Sequence, residues 1–113
     1  MVRIYGIPTC GSVKKAIAFI KARGIAHEFV DFRKTPATIE TIDRWLKQVP
    51  IAALFNNKGT KYRTLGLAAQ NLDDAARREW LTKENLLIKR PVIELEDGRV
   101  LVGFDETLYQ QTF

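Results

Sequence analysis

The sequence predicts an α/β (α+β) fold in which a βαβ unit, a helical insert and a ββα unit build a four-stranded mixed sheet flanked by helices. Three observations support this. A β-rich run, Val2 to Tyr5, halts at Gly6 and Pro8 and passes into an amphipathic helix pattern. A second strand pattern, His27 to Phe32, follows closely enough to make strand, helix and strand one βαβ unit, with parallel strands and a right-handed crossover. Toward the other end, Val92 to Leu95 and Val100 to Val102 flank an Asp97-Gly98 pair, a strong hairpin signal.

Residues 2–6 form the first strand and residues 11–23 the first helix. The helix has Val13, Ala16, Ile17 and Ile20 at the three-and-four spacing of one buried face. Lys14, Lys15, Lys21 and Arg23 take the opposite side, and Gly24 supplies the stop. His27 opens the second strand and has no carboxylate partner nearby in sequence, so it is read as a surface strand residue rather than a catalytic base.

Arg33 to Pro36 is a polar connection. Thr35 or Thr38 caps the next helix, with Pro36 near its first turn. Ile39, Ile42, Leu46 and Val49 are its apolar face, Trp45 adds to the core, and Pro50 ends it. Ile51 to Phe55 is short and apolar, and Asn56-Asn57-Lys58-Gly59-Thr60 is a turn. Asn71 is the expected cap of a further helix, with Asp73 and Asp74 in its first turn and Trp80 and Leu81 near its end. Two or three helices are expected in the insert. Pro91 opens the last part, and Asp105 caps a closing helix with Leu108, Tyr109 and Phe113 as apolar contacts.

Composition narrows the function. With 46% apolar and 27% charged residues, the chain matches a soluble globular protein, and no apolar run nears the roughly 20 residues of a membrane span. Met1 leads straight into a strand pattern with no signal-peptide core, so the cytoplasm is the expected compartment. One cysteine excludes an intrachain disulfide, and with a single His27 it leaves no cysteine-rich zinc site; no metal is expected. The net charge of +5 suits an anionic substrate or acidic partner. The basic residues are scattered and no base-stacking motif accompanies them, which argues against nucleic acid.

The chemistry centres on Cys10. It follows a strand end and precedes a helix, where unpaired N–H groups and the aligned peptide dipoles favour an anion. A cysteine pKa of about 8.5 falls to roughly 3.5–7.5 in such settings. The alternative is an inert cysteine packed as a small hydrophobe. Its neighbours Pro8, Thr9, Gly11 and Ser12 are turn residues rather than an apolar stripe, which favours the reactive reading.

The βαβ and ββα units, with a cysteine at the first helix N-terminus, resemble the thioredoxin/glutaredoxin-like fold. Tyr5-Gly6-Ile7-Pro8-Thr9-Cys10 followed by Lys14-Lys15-Ala16 resembles the arsenate reductase (ArsC)/Spx family and its YffB-like branch. So do Asn56 to Leu65 (NNKGTKYRTL), Ile88 to Val92 (IKRPV) and Leu101 to Gln111 (LVGFDETLYQQ). The resemblance covers nearly the whole chain. It implies one domain over residues 1–113, with a thioredoxin-like core at 1–34 and 86–113 and the helical insert at 35–85. It also implies a cis Arg90–Pro91 bond facing the cysteine.

For function, the resemblance implies a glutathione-dependent thiol–disulfide reductase with one nucleophilic cysteine. Cys10 and Arg90 are then the catalytic residues, and Gly11, Ser12 and Val13 offer backbone N–H groups to the thiolate. Arg90 beside Pro91 is the candidate for holding the glutathione carboxylates. Asn56, Lys58 and Arg63 are candidates for the other wall, with a plain solvated loop as the alternative for Lys58 and Arg63; Lys14 and Lys15 are expected to be solvated. Glutathione is a co-substrate, no cofactor is tightly bound, and the partners are glutathione or a small thiol or disulfide, or a redox protein. The protein is expected to be a monomer. Two alternatives stand within the family. Glutathione-linked arsenate reductases carry three arginines around the oxyanion; Arg90 matches one, while Asn56 and Gly103 fall at the others and offer no guanidinium fork. Spx-type regulators bind RNA polymerase and use a Cys-x-x-Cys switch, whose second position here is Val13.

Overall fold

A computed structural model describes all residues, Met1 to Phe113. The chain forms two compact units, one of Met1–Thr35 with Arg90–Phe113 and one of Pro36–Lys89. The first contains the sheet. Its strands are β1 (Val2–Gly6), β2 (His27–Asp31), β3 (Val92–Glu94) and β4 (Val100–Val102), in the order β2-β1-β3-β4. The central β1 runs parallel to β2, with Ile4 beside Phe29, and antiparallel to β3, with Ile4 beside Ile93. β3 and β4 pair antiparallel. This is the thioredoxin-like arrangement expected from the sequence.

Side chains alternate across a strand, so Val2 and Ile4 share one face and Tyr5 takes the other. On the first face Val2, Ile4 and Ile93 pack with Ala16 and Ile20 of α1 (Gly11–Ala22) and with Tyr109 of α6 (Glu106–Thr112). Ile4 and Ile93 are fully buried, each a gain of ~1.5–3 kcal/mol. α1 stops where expected. Gly24 takes φ +67 and donates to the Lys21 carbonyl, while Ile25 donates to that of Ile20, a Schellman closure that folds Ile25 onto the core.

Several expectations are corrected in this unit. β2 ends at Asp31, although the Phe32 N–H still reaches the Gly6 carbonyl at 2.9 Å. β3 ends at Glu94, and Leu95 to Arg99 form a longer hairpin loop than an Asp-Gly turn. Gly98 adopts φ +89 there, and the Asp97 carboxylate accepts the Arg99 N–H. Asp105 caps α6 as expected, but Leu108 is exposed. Tyr109 and Phe113, four apart, take the inward face and meet edge-on at 5.6 Å, and Leu108 lies a third of a turn away from it.

The helical unit contains α2 (Ile39–Leu46), α3 (Ile51–Leu54), α4 (Thr60–Thr64) and α5 (Asp74–Lys83), with 3₁₀ turns at 67–70 and 85–87. Four α-helices therefore stand where two or three were expected. Thr38 rather than Thr35 caps α2, accepting from the Thr41 N–H at 3.2 Å, and Pro36 lies ahead of the helix. Pro50 does not end α2, which closes at Leu46; it precedes α3 instead. Ile42 and Trp45 are fully buried, so the inward stripe is centred between them. Asn71 does not cap α5. Asp73 does, its carboxylate accepting the Ala76 N–H at 2.8 Å, while Asn71 takes the left-handed φ of +47 that asparagine tolerates better than most residues. A bidentate Arg78–Asp43 pair at 2.7 and 2.8 Å links α5 to α2 on the exposed surface, where solvent screens it. No helix of the chain is long and apolar enough to cross a membrane.

Candidate functional site

The site is built where β1 ends and β3 begins. These strands are antiparallel with Tyr5 opposite Val92, so the chain leaving β1 toward Cys10 passes the chain entering β3 from Arg90 and Pro91. Pro8 breaks the strand, the Cys10 N–H turns back to the Ile7 carbonyl at 3.3 Å, and α1 starts at Gly11. Cys10 is thus the N-cap, in extended conformation, and its carbonyl accepts the Lys14 N–H at 3.0 Å.

The thiol is half-buried. Burial alone pushes its pKa up. The Val13 N–H, a hydrogen bond from the Arg90 side chain, the Ser12 N–H and the Arg90 charge together outweigh this and hold the pKa below the ordinary cysteine value. No acidic residue lies in the first turn of α1 to oppose them.

The sequence-derived residues are placed as follows. Cys10, Ser12, Val13, Arg90 and Pro91 come together in the sheet unit, and the Arg90–Pro91 bond is cis. Gly11 is exposed, with nothing within 4 Å of where a Cβ would stand. Lys14 and Lys15 are exposed on α1. His27 is half-buried at the start of β2, its Nδ1 2.8 Å from the Ile25 carbonyl. Asn56 and Arg63 belong to the helical unit, where they brace the 56–59 loop against α4. The Asn56 side-chain oxygen accepts the Lys58 N–H at 3.1 Å, and Arg63 donates to the Lys58 carbonyl at 2.8 Å. No three His, Cys, Asp or Glu side chains converge as a metal centre would require.

One support was not foreseen. The Pro91 carbonyl accepts the Gly103 N–H at 2.8 Å, and the Gly103 carbonyl accepts the Tyr109 hydroxyl at 2.7 Å. Gly103, at φ +81, thereby connects α6 to the Arg90–Pro91 segment. Periodicity marks Tyr109 only as a core residue and carries no trace of where its hydroxyl points.

The ArsC family model matches residues 5–112. The chain belongs to the ArsC family. This ArsC-family chain is 28% identical to an arsenate reductase of Neisseria meningitidis, over 90% of this chain and 89% of that one. A solved structure named YFFB superposes with a TM-score of 0.90 at 33% identity, over 98% and 97% of the two chains. A Brucella melitensis protein described as related to arsenate reductase reaches 39% identity and a TM-score of 0.76, over 97% and 92%. The resemblance to the YffB-like branch of the ArsC family thus extends to the three-dimensional structure.

Proposed function

We propose that this ArsC-family protein is a thiol oxidoreductase that works through Cys10 alone and takes glutathione as co-substrate. The observation that carries the reading is the thiol at the N-terminus of α1, acidified by the Val13 and Ser12 N–H groups and by Arg90. A thiolate is the attacking species in disulfide exchange. With one cysteine in the chain, the exchange runs through an intermolecular disulfide.

In the cycle we propose, the Cys10 thiolate attacks the glutathione sulfur of a mixed disulfide RS–SG. The S–S bond breaks, Cys10–S–SG forms and RS⁻ leaves to take up a proton. A glutathione thiolate then attacks the glutathione sulfur of Cys10–S–SG, giving oxidised glutathione and restoring the Cys10 thiolate. In sum, RS–SG and glutathione become RSH and oxidised glutathione. Arg90 stabilises the Cys10 thiolate as attacking group in the first step and as leaving group in the second. The thiol is only partly buried, which leaves it accessible to the disulfide.

Arsenate reduction is the second reading, favoured by the name of the meningococcal relative. Asn56 and Gly103 stand where the resemblance asks for arginines, so this chain supplies fewer fixed cationic donors for an oxyanion. The deciding experiment is intact-mass analysis after incubation with oxidised glutathione. One glutathionyl group should add to the wild type and none to Cys10→Ser; a wild type that stays unmodified overturns the reading.

A further inference from the structure

We propose that Gly6 is a positioning residue for Cys10: its missing side chain lets Val13 seat the first turn of α1 directly on the end of β1, and this contact aims the α1 N–H groups at the Cys10 sulfur. Gly6 does not have a positive φ, so space rather than backbone conformation is what the position demands. A Cβ there would lie 2.6 Å from Val13 Cγ2, with Cγ1 at 3.6 Å and Cβ at 3.7 Å. Carbon atoms rest at about 3.5–4.0 Å, so the closest contact is a hard overlap.

Val13 cannot swing aside. It is fully buried, and a β-branched side chain on a helix is confined to nearly one χ1 rotamer. Gly6 is held as firmly from its other side: it pairs with Asp31 in the parallel ladder, and its carbonyl accepts the Phe32 N–H at 2.9 Å. The start of α1 has a weaker tether, the 3.3 Å Cys10-to-Ile7 bond. A side chain at position 6 therefore displaces the first turn of α1. That turn carries the Val13 and Ser12 N–H groups that act on the sulfur.

The inference rests on the reading of Cys10 as a working thiolate, but its test reads the thiol directly and needs no turnover. Thiolate absorbance is titrated against pH in wild type, Gly6→Ala, Val13→Ala and the double variant, with circular dichroism to verify folding. Gly6→Ala should raise the Cys10 pKa by about one unit. It should also slow alkylation at mildly acidic pH roughly three- to tenfold, because the loss of thiolate is partly offset by the greater nucleophilicity of a more basic sulfur. Adding Val13→Ala removes the two methyls and keeps the N–H, so the double variant should titrate like Val13→Ala alone. A folded Gly6→Ala with the wild-type titration overturns the proposal, and so does a double variant whose pKa stays raised. If Gly6→Ala does not fold, the double variant against Val13→Ala decides in the same way. An acidic thiol that is never glutathionylated defeats the proposed function and leaves this inference standing.

Discussion

Arg90, just ahead of Pro91 and β3, lowers the pKa of Cys10, the residue that caps α1, as a hydrogen-bond donor and through its charge. A fixed, always-charged donor at the sulfur favours the thiolate in every protonation regime of interest. Together with the Val13 and Ser12 N–H groups it offsets the cost of half-burying the thiol.

The Cys10 thiol should titrate below a free cysteine, with fast alkylation persisting at mildly acidic pH. A midpoint at or above about 8.5 in the alkylation pH–rate profile would contradict the site geometry. Stability follows the same shift. With its pKa depressed on folding, Cys10 stabilises the protein fully above the unfolded pKa, and that contribution is lost as pH falls through the folded pKa. Denaturant unfolding of Cys10→Ser should lack this pH-dependent part.

Arg90→Ala should raise the Cys10 pKa toward the ordinary value and slow mixed-disulfide formation with oxidised glutathione several-fold at neutral pH. Losing one charged hydrogen bond, worth roughly 1.5–3 kcal/mol, sets the upper limit of the effect. Circular dichroism should show an unchanged fold. An Arg90→Ala protein that folds and reacts at the wild-type rate would remove Arg90 from the catalytic pair.

Arsenate should be reduced poorly or not at all with glutathione and glutaredoxin supplied. Asn56 and Gly103 cannot give the bidentate contacts that a multiply charged oxyanion needs. Robust arsenate turnover that vanishes in Cys10→Ser would make arsenate reduction the primary function.

Tyr109→Phe should destabilise the protein by ~1–3 kcal/mol, since it deletes the donor to the Gly103 carbonyl inside a fully buried site and leaves that acceptor unpaired. Urea unfolding measures this. A change below a few tenths of a kcal/mol would mean that the carbonyl finds another donor.

Asp73→Ala should cost ~0.5–2 kcal/mol through loss of the α5 cap, whereas Asn71→Gly should not destabilise, because glycine adopts the left-handed conformation of position 71 without strain. Paired thermal melts decide between the two residues as the start of α5.

Local signals in the sequence determined β1, α1 and β2, the Gly24 stop, the Asp105 cap and the place of Cys10 at a helix N-terminus. Each depends on hydrophobic period, turn chemistry or backbone capping among residues a few positions apart. The family resemblance added Arg90 and the cis bond to Pro91. Propensity left Thr35 and Thr38 open as caps of α2 and the folded chain uses Thr38, whereas for α5 the expected cap, Asn71, gives way to Asp73, two residues on. The same holds for Leu108, whose apolar character says nothing of which side of α6 meets the sheet. Only the tertiary structure decided how acidic the thiol is, because that depends on Arg90 reaching the sulfur through the antiparallel β1–β3 register. Only it showed the close approach of Gly6 to Val13 and the Tyr109 bond to Gly103, since both are ångström-scale fits between side chain and backbone and leave no mark on composition or period.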